Sequence, residues 1–180
     1  MVRRSTPLLA GFALSAALAV AGCGGSGGGD KTFDNENIGI TFKYSPRFHP
    51  ITDIDFGQTA GAKAAAQSGV ALDKVNALIV SRYDLNVNID KDNLSKFKGE
   101  VDNVISQLAG RRVSGQEVEY GGLPGYEYVI NVKDPPQGQS RMAVLFDRAT
   151  EYLINCQSTP TDRDKIEEGC RKALDTLETK

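Results

Sequence analysis

The chain has 180 residues, with 21 basic and 23 acidic side chains, one histidine, three cysteines and no tryptophan, for a formal net charge of −2. That length suits one ordinary domain. A balanced, slightly acidic chain without a basic stripe argues against a nucleic-acid surface, and a single histidine leaves too few N/S ligands for a zinc site.

The chain opens with a short basic stretch, Met1-Val2-Arg3-Arg4, and from Pro7 to Ala21 every residue is apolar or small. A run of about fifteen such residues is long enough for a secretory h-region and short of the roughly twenty that a stable membrane-spanning helix needs. Val20-Ala21-Gly22-Cys23 follows, and it resembles the lipobox of bacterial lipoproteins: an aliphatic residue, two small ones, then cysteine. The resemblance implies diacylglycerol on the Cys23 thiol, cleavage between Gly22 and Cys23, and an address on the extracytoplasmic face of the cell membrane. Two or more acyl chains hold a protein stably where one does not, at ~0.8 kcal/mol per buried CH₂. Residues 1–22 thus read as a signal peptide. Residues 23–30, with Gly24-Gly25-Ser26-Gly27-Gly28-Gly29, read as the lipidated cysteine and a flexible tether. The tract also matches G-x-S-x-G and G-x-G-x-x-G, but both motifs need a strand before them and a helix after them, and a cleavage site supplies neither.

Cleavage before Cys23 leaves 158 residues, and loss of Arg3 and Arg4 leaves 19 basic against 23 acidic side chains. Residues 31–180 carry no internal repeat and no second linker, so they read as a single α+β domain. Lys31–Asp34 and Ile38–Tyr44 read as short strands around the turn Asn35-Glu36-Asn37, with Ile38, Ile40 and Phe42 alternating at the strand period. Residues 57–69, rich in Gly, Ala, Gln and Ser, read as a loop with one helical turn at Ala64-Ala65-Ala66. Ala77–Leu85 is a strand continuing through Val87 and Ile89, with Leu85, Val87 and Ile89 expected to face the core.

Leu94, Phe97, Val101, Val104, Ile105 and Leu108 recur at helical spacing over residues 93–109, with Asp92 or Asn93 at the start and Gly110 at the end. Arg111 and Arg112 then complement the helix dipole. Gly115–Tyr120 and Tyr126–Lys133 follow as strands, with turn signals at Gly121-Gly122 and Pro124-Gly125. After the turn Asp134-Pro135-Pro136-Gln137-Gly138, Ser140–Phe146 and Glu151–Gln157 complete an antiparallel meander. Past Pro160, Thr161 with Asp164 has the spacing of a capping box. Ile166, Cys170, Ala173, Leu174 and Leu177 then form one apolar stripe on a closing helix over 162–178.

Cys156 and Cys170 form an even pair in an exported chain, the setting in which disulfides persist. Cys156 shares a strand face with Tyr152 and Ile154, and Cys170 lies on the apolar stripe of the closing helix, so both thiols point into one sheet–helix layer. The outward leg from 156 to 162 covers at most ~20 Å at ~3.3 Å per residue. The helix returns ~12 Å from 162 to 170 at ~1.5 Å per residue, and a partly coiled connector brings the two level. A disulfide is the expectation; the alternative is two buried thiols packing as small apolar groups.

The element order, with the opening strand pair, "YSPRF", a strand then a helix, "GGLPGYEY" starting a long meander and a closing helix, resembles the Mog/PsbP-like alpha-beta sandwich. It is similar to secreted actinobacterial lipoproteins of the LpqN type. The resemblance covers most of residues 31–178, and "GGLPGY" is its closest local match. It implies an α+β fold: an antiparallel β-sheet with two main α-helices packed on it. It also implies binding or assembly roles in place of catalysis: photosystem assembly, GTPase binding, or envelope lipid and protein interaction. No catalytic residues carry over.

The candidate chemistry is sparse. His49, in Phe48-His49-Pro50, has no marked nucleophile or orienting acid beside it. Asp84, Asn86, Asn88, Asp90 and Asp92 alternate like the start of a calcium loop. An EF-hand frame from Asp84 puts Ile89 and Ser95 where Gly and Glu are needed, and the frame from Asn88 puts Asn93 and Gly99 there, so only a weak, irregular calcium site remains open. Tyr120, Tyr126, Tyr128 and Tyr152 could line a cleft or serve as ordinary strand residues. The leading expectation is a non-catalytic, cofactor-free, lipid-anchored envelope protein that binds a partner protein or an envelope lipid. The alternative is a secreted hydrolase with a site near His49.

Overall fold

The computed structural model describes residues 28–51, 63–132 and 137–180. Two antiparallel sheets organise them. The smaller one pairs β1 (Lys31–Asp34) with β2 (Ile40–Tyr44), and β2 with β9 (Glu178–Thr179). The larger one runs in the order β3 (His49–Ile51), β4 (Ala66–Ala71), β5 (Ala77–Ile89), β8 (Gly138–Ser158), β7 (Leu123–Val132), β6 (Gln116–Tyr120). The helices are α1 (Leu94–Ala109) and α2 (Arg163–Asp175).

The element β8 is long because it folds back on itself. Gln139 and Ser158 are 19 residues apart, and a straight strand would hold them ~60 Å apart. Instead the Ser158 hydroxyl donates to the Gln139 carbonyl at 3.4 Å. The first arm pairs with β7 from Gly138 to Leu145, and the second pairs with β5 from Arg148 to Gln157. Between them Arg148 takes the left-handed backbone (φ 53°) that a tight hairpin turn needs, a conformation uncommon for a side chain with a Cβ. This is the Ser140–Phe146 and Glu151–Gln157 pair read from the sequence, joined without a break.

Alternation along these strands makes two apolar faces. On one, Leu78, Val80, Leu145, Ile154 and Cys156 meet Ile166, Cys170, Ala173 and Leu174 of α2, Ile40 and Phe42 of the small sheet, and Ile38 from the turn that precedes β2, in one buried cluster. On the other, Tyr83, Tyr126, Tyr128, Ile130, Val144, Phe146 and Leu153 meet Leu94, Val101 and Ile105 of α1. The α+β sandwich expected from the sequence is the observed fold, with a helix on each face of the large sheet.

Several local expectations need correction. Residues 66–71 form β4 instead of a loop or helical turn, because β5 supplies a full ladder of partners; residues 57–62 lie outside the described residues. Gly69 fits there because a Cβ would stand 2.3 Å from the Leu78 carbonyl oxygen. Pro124 and Gly125 lie inside β7 and do not form a turn. The turn is Gly121-Gly122, both with positive φ (59° and 77°), closing the two-residue loop between Tyr120 and Leu123. The turn read over 134–138 falls mostly outside the described residues.

The closing helix stops at Asp175 and not at 178. Leu177 still enters the core, and Glu178–Thr179 leave as a strand on β2. The capping box does not form: Asp162 holds the N-cap without a side-chain cap bond, and its carboxylate pairs with Lys165 at 2.7 Å. Gly110 ends α1 in the left-handed conformation as expected. Val87 does not face the core but is 44% exposed.

Candidate functional site

The two helices cover the large sheet unequally, and the difference begins with the side chains that hold α1. Asp102, on the side of α1 toward β6 and β7, accepts hydrogen bonds from the Gly115 amide (2.9 Å), the Tyr128 hydroxyl (2.8 Å), the Lys98 ammonium (2.8 Å) and the Ser114 hydroxyl (3.1 Å). Burial alone would raise its pKa; these four donors outweigh it and hold the carboxyl at about 2. Lys98 also sits over the Tyr126 ring, 5.2 Å from its centroid, and the Tyr126 hydroxyl donates to the Leu94 carbonyl at 3.1 Å. The helix is thereby drawn over β7.

On its other side α1 stands off from β5 and β8, leaving a cleft of about 280 Å³. Its walls are Leu85, Val87 and Ile89 from β5, Phe97, Val104 and Ile105 from α1, and Val144, Phe146 and Leu153 from β8. Few polar groups reach it: Tyr83 and Asp84 from β5, Glu151 from β8, Glu100 from α1, and Lys63. An apolar concavity with a few converging polar groups is the usual form of a small-ligand site.

Two of those polar groups are strained by their surroundings. Tyr83 is 8% exposed, and its hydroxyl is buried without a hydrogen-bond partner. Glu151 lies directly opposite Tyr83 in the β5–β8 ladder. Desolvation, reinforced by the neighbouring charge of Glu100, pushes the Glu151 carboxyl up to about 7. A buried donor without an acceptor costs ~1–3 kcal/mol, so this spot stabilises the fold less than an apolar pair of the same shape would.

The residues singled out from the sequence fare differently. Cys156 and Cys170 are joined, with Cα atoms 5.9 Å apart, and both are buried between β8 and α2. His49 is exposed on β3, at the edge of the large sheet opposite Ala71; among the described residues no serine hydroxyl and no carboxylate hydrogen-bonds to its ring. Asp84 pairs with Arg82 at 3.0 Å, and Asp90 accepts the amides of Asp92 and Asn93. These carboxylates are thus spent on a turn and an ion pair. No cluster of three or more His, Cys, Asp or Glu side chains suited to a metal ion occurs among the described residues.

The four tyrosines do not line one cleft. Tyr126 and Tyr128 lie under α1, Tyr152 is on the opposite face, and Tyr120 bonds Glu127 at 3.0 Å. Cys23 and the signal-peptide segment lie outside the described residues.

Glu151, Tyr83 and Glu100 were not found from the sequence. The available signal was parity: Glu151 alternates with Leu153 on the strand face turned away from Cys156. It becomes informative only once a helix is known to cover that second face.

With this geometry in view, known proteins add the fold. No family model matches the sequence, and no curated protein matches it. A solved structure does: cyanobacterial PsbP (CyanoP) from Synechocystis sp. PCC 6803, with a TM-score of 0.57 over 89% of this chain and 99% of that one, at 9% sequence identity. The chain has a PsbP-like fold, and at that identity the likeness speaks for the fold alone.

Proposed function

We propose that this is a lipid-anchored, extracytoplasmic binding protein of a bacterial cell envelope. It holds an apolar envelope ligand in the cleft beneath α1 and catalyses no reaction. The observation that carries the reading is the cleft itself: a small apolar concavity, open beside a helix that a polar cluster pins on its far side only. The basic start, the apolar run, the lipobox ending at Cys23 and the glycine tract support the anchor.

The described chain begins at Gly28, beside Pro46 and near Lys165 and Lys172 of α2. Gly28 therefore lies on the α2 side of the large sheet, and the cleft opens on the other side. A glycine-rich tether lets that side turn toward the membrane or toward a partner.

The anchor is tested by Cys23→Ala in the native host. The wild type should enter the detergent phase on partitioning, and the variant should lose its lipid and its place on the membrane. Aqueous partitioning of the wild type would sink the anchored reading.

A further inference from the structure

We propose that the α1 cleft is a site for a single-chain amphiphile bearing a protonated primary amine, with Glu151 as counter-charge and the Tyr83 hydroxyl as a hydrogen-bond partner. The proposal rests on the binding reading above and names the chemistry of the occupant.

The cleft walls supply the apolar half of the argument. At about 280 Å³ the space lies at or just below the usual lower bound of ~300 Å³ for small-ligand pockets. It suits one short alkyl chain and not the two chains of a phospholipid. Leu85, Ile89, Phe97, Val104 and Phe146 would bury that chain.

The polar half sets the sign of the head group. Every titratable or charged side chain lining the cleft can be named: Tyr83 and Asp84 on β5, Glu100 on α1, Glu151 on β8, and Lys63 ahead of β4. Asp84 is already matched by Arg82. Among the described residues no cation lies within ion-pair distance of Glu100 or Glu151. Lys63 is the one cation among the lining residues, so carboxylates outnumber cations in the lining. An anionic head group would add to the repulsion that Glu100 already exerts on Glu151.

A neutral head group would leave the Glu151 charge unmatched whenever it forms. An ammonium matches it, and the Tyr83 oxygen, buried and unpartnered, can accept one of its three N–H donors. Tyr83 is a second observation, independent of Glu151: of the side chains lining the cleft, it alone has a buried polar atom without a hydrogen-bond partner.

Proton balance follows from the same pairing. Glu151 loses its proton at about pH 7 in the empty protein. An ammonium beside it favours the carboxylate, so binding near or below that pH releases a proton to the buffer and tightens as pH rises through 7.

The test uses the mature chain, residues 23–180, carrying Cys23→Ala so that no acyl chain competes. Octylamine, octan-1-ol and octanoate are titrated into it by calorimetry at pH 8. Octylamine should bind at least tenfold more tightly than octan-1-ol, with octanoate weakest. Glu151→Gln should reduce the amine to the level of the alcohol, and Val104→Trp, which fills the cleft, should abolish binding of both. At pH 6.5 the heat of octylamine binding should vary with buffer ionisation enthalpy in the wild type and not in Glu151→Gln.

If the alcohol or the acid binds as well as the amine, or if Glu151→Gln leaves the amine preference intact, the cation proposal falls while the binding cleft stands. If none of the three binds, both readings fall.

Discussion

The two faces of the large sheet are built from the same alternating strands and yet differ in kind. Under α2 the contacts are aliphatic and aromatic, the only covalent cross-link among the described residues joins helix to sheet, and the small sheet closes the far side. Under α1 the helix is held by a carboxylate with four donors. One flank is open, and a glutamate and an unpartnered tyrosine hydroxyl face the gap. Burial on the first face is spent on stability. On the second, part of that stability is forgone where two polar groups sit in apolar surroundings, and such concessions cluster where a protein binds something.

The sharpest break of this comparison is the same kind of truncation made on each face. Leu174 is 2% exposed and packed between α2 and both sheets, so Leu174→Ala should cost ~3–4 kcal/mol in transfer and cavity terms. Phe97, though larger, borders a space that is already empty. Phe97→Ala should cost only ~1 kcal/mol, because few neighbours lose packing partners. Paired thermal melts check this, each kcal/mol moving the midpoint by ~2–4 °C in a domain of this size. Equal losses would mean that the α1 face is as closed as the other.

The next test removes the staple. The cross-link between Cys156 and Cys170 closes a sequence separation of 14, which the chain-entropy account values at ~3 kcal/mol, with strain reducing it. The double variant Cys156→Ser and Cys170→Ser should unfold at correspondingly lower urea without losing octylamine binding. The sulfurs lie on the face away from the cleft. A loss of binding equal to the loss of stability would show that the two faces are not independent.

Most of this architecture could be read in advance where a period and a terminator coincide. The α1 stripe ending at Gly110, the paired arms of β8 and the cysteine pair all follow from local spacing and chemistry. The failures share one cause. The strand β4 has weak local propensity, and only its ladder with β5 makes it extended. Leu177 belongs to the apolar stripe in either reading, and what ends α2 is the chance for Glu178–Thr179 to pair with β2, far away in sequence.

The site was illegible for a similar reason. Glu151 is one more charged strand residue until the fold places Phe146, Leu153 and α1 around it. His49 is alone of its kind in the chain, which is a fact of composition and not of surroundings.

The finest contrast between the faces is electrostatic, and Glu151→Gln isolates it. The group's ordinary pKa is 4.5, and burial followed by Glu100 raises it to about 7 in the folded chain. Between those two values the folded state holds a proton that the unfolded chain has released, so stability falls as pH rises across that window and levels off above it. At ~1.4 kcal/mol per pK unit the full effect is ~3 kcal/mol, and ~2 kcal/mol is expected once relaxation and water entry are allowed for. Glutamine keeps the shape and the neutrality of the protonated acid. Glu151→Gln should therefore match the wild type at pH 4.5 and exceed it by ~2 kcal/mol at pH 8, measured by urea unfolding at both pH values. Asp102 does not confuse the reading, because its carboxyl, held at about 2, alters stability only at lower pH and in the opposite sense. Wild-type stability that stays level from pH 4.5 to 8 would mean that water or a neighbouring charge already solvates Glu151. The α1 face would then carry no unmet charge for a ligand to answer.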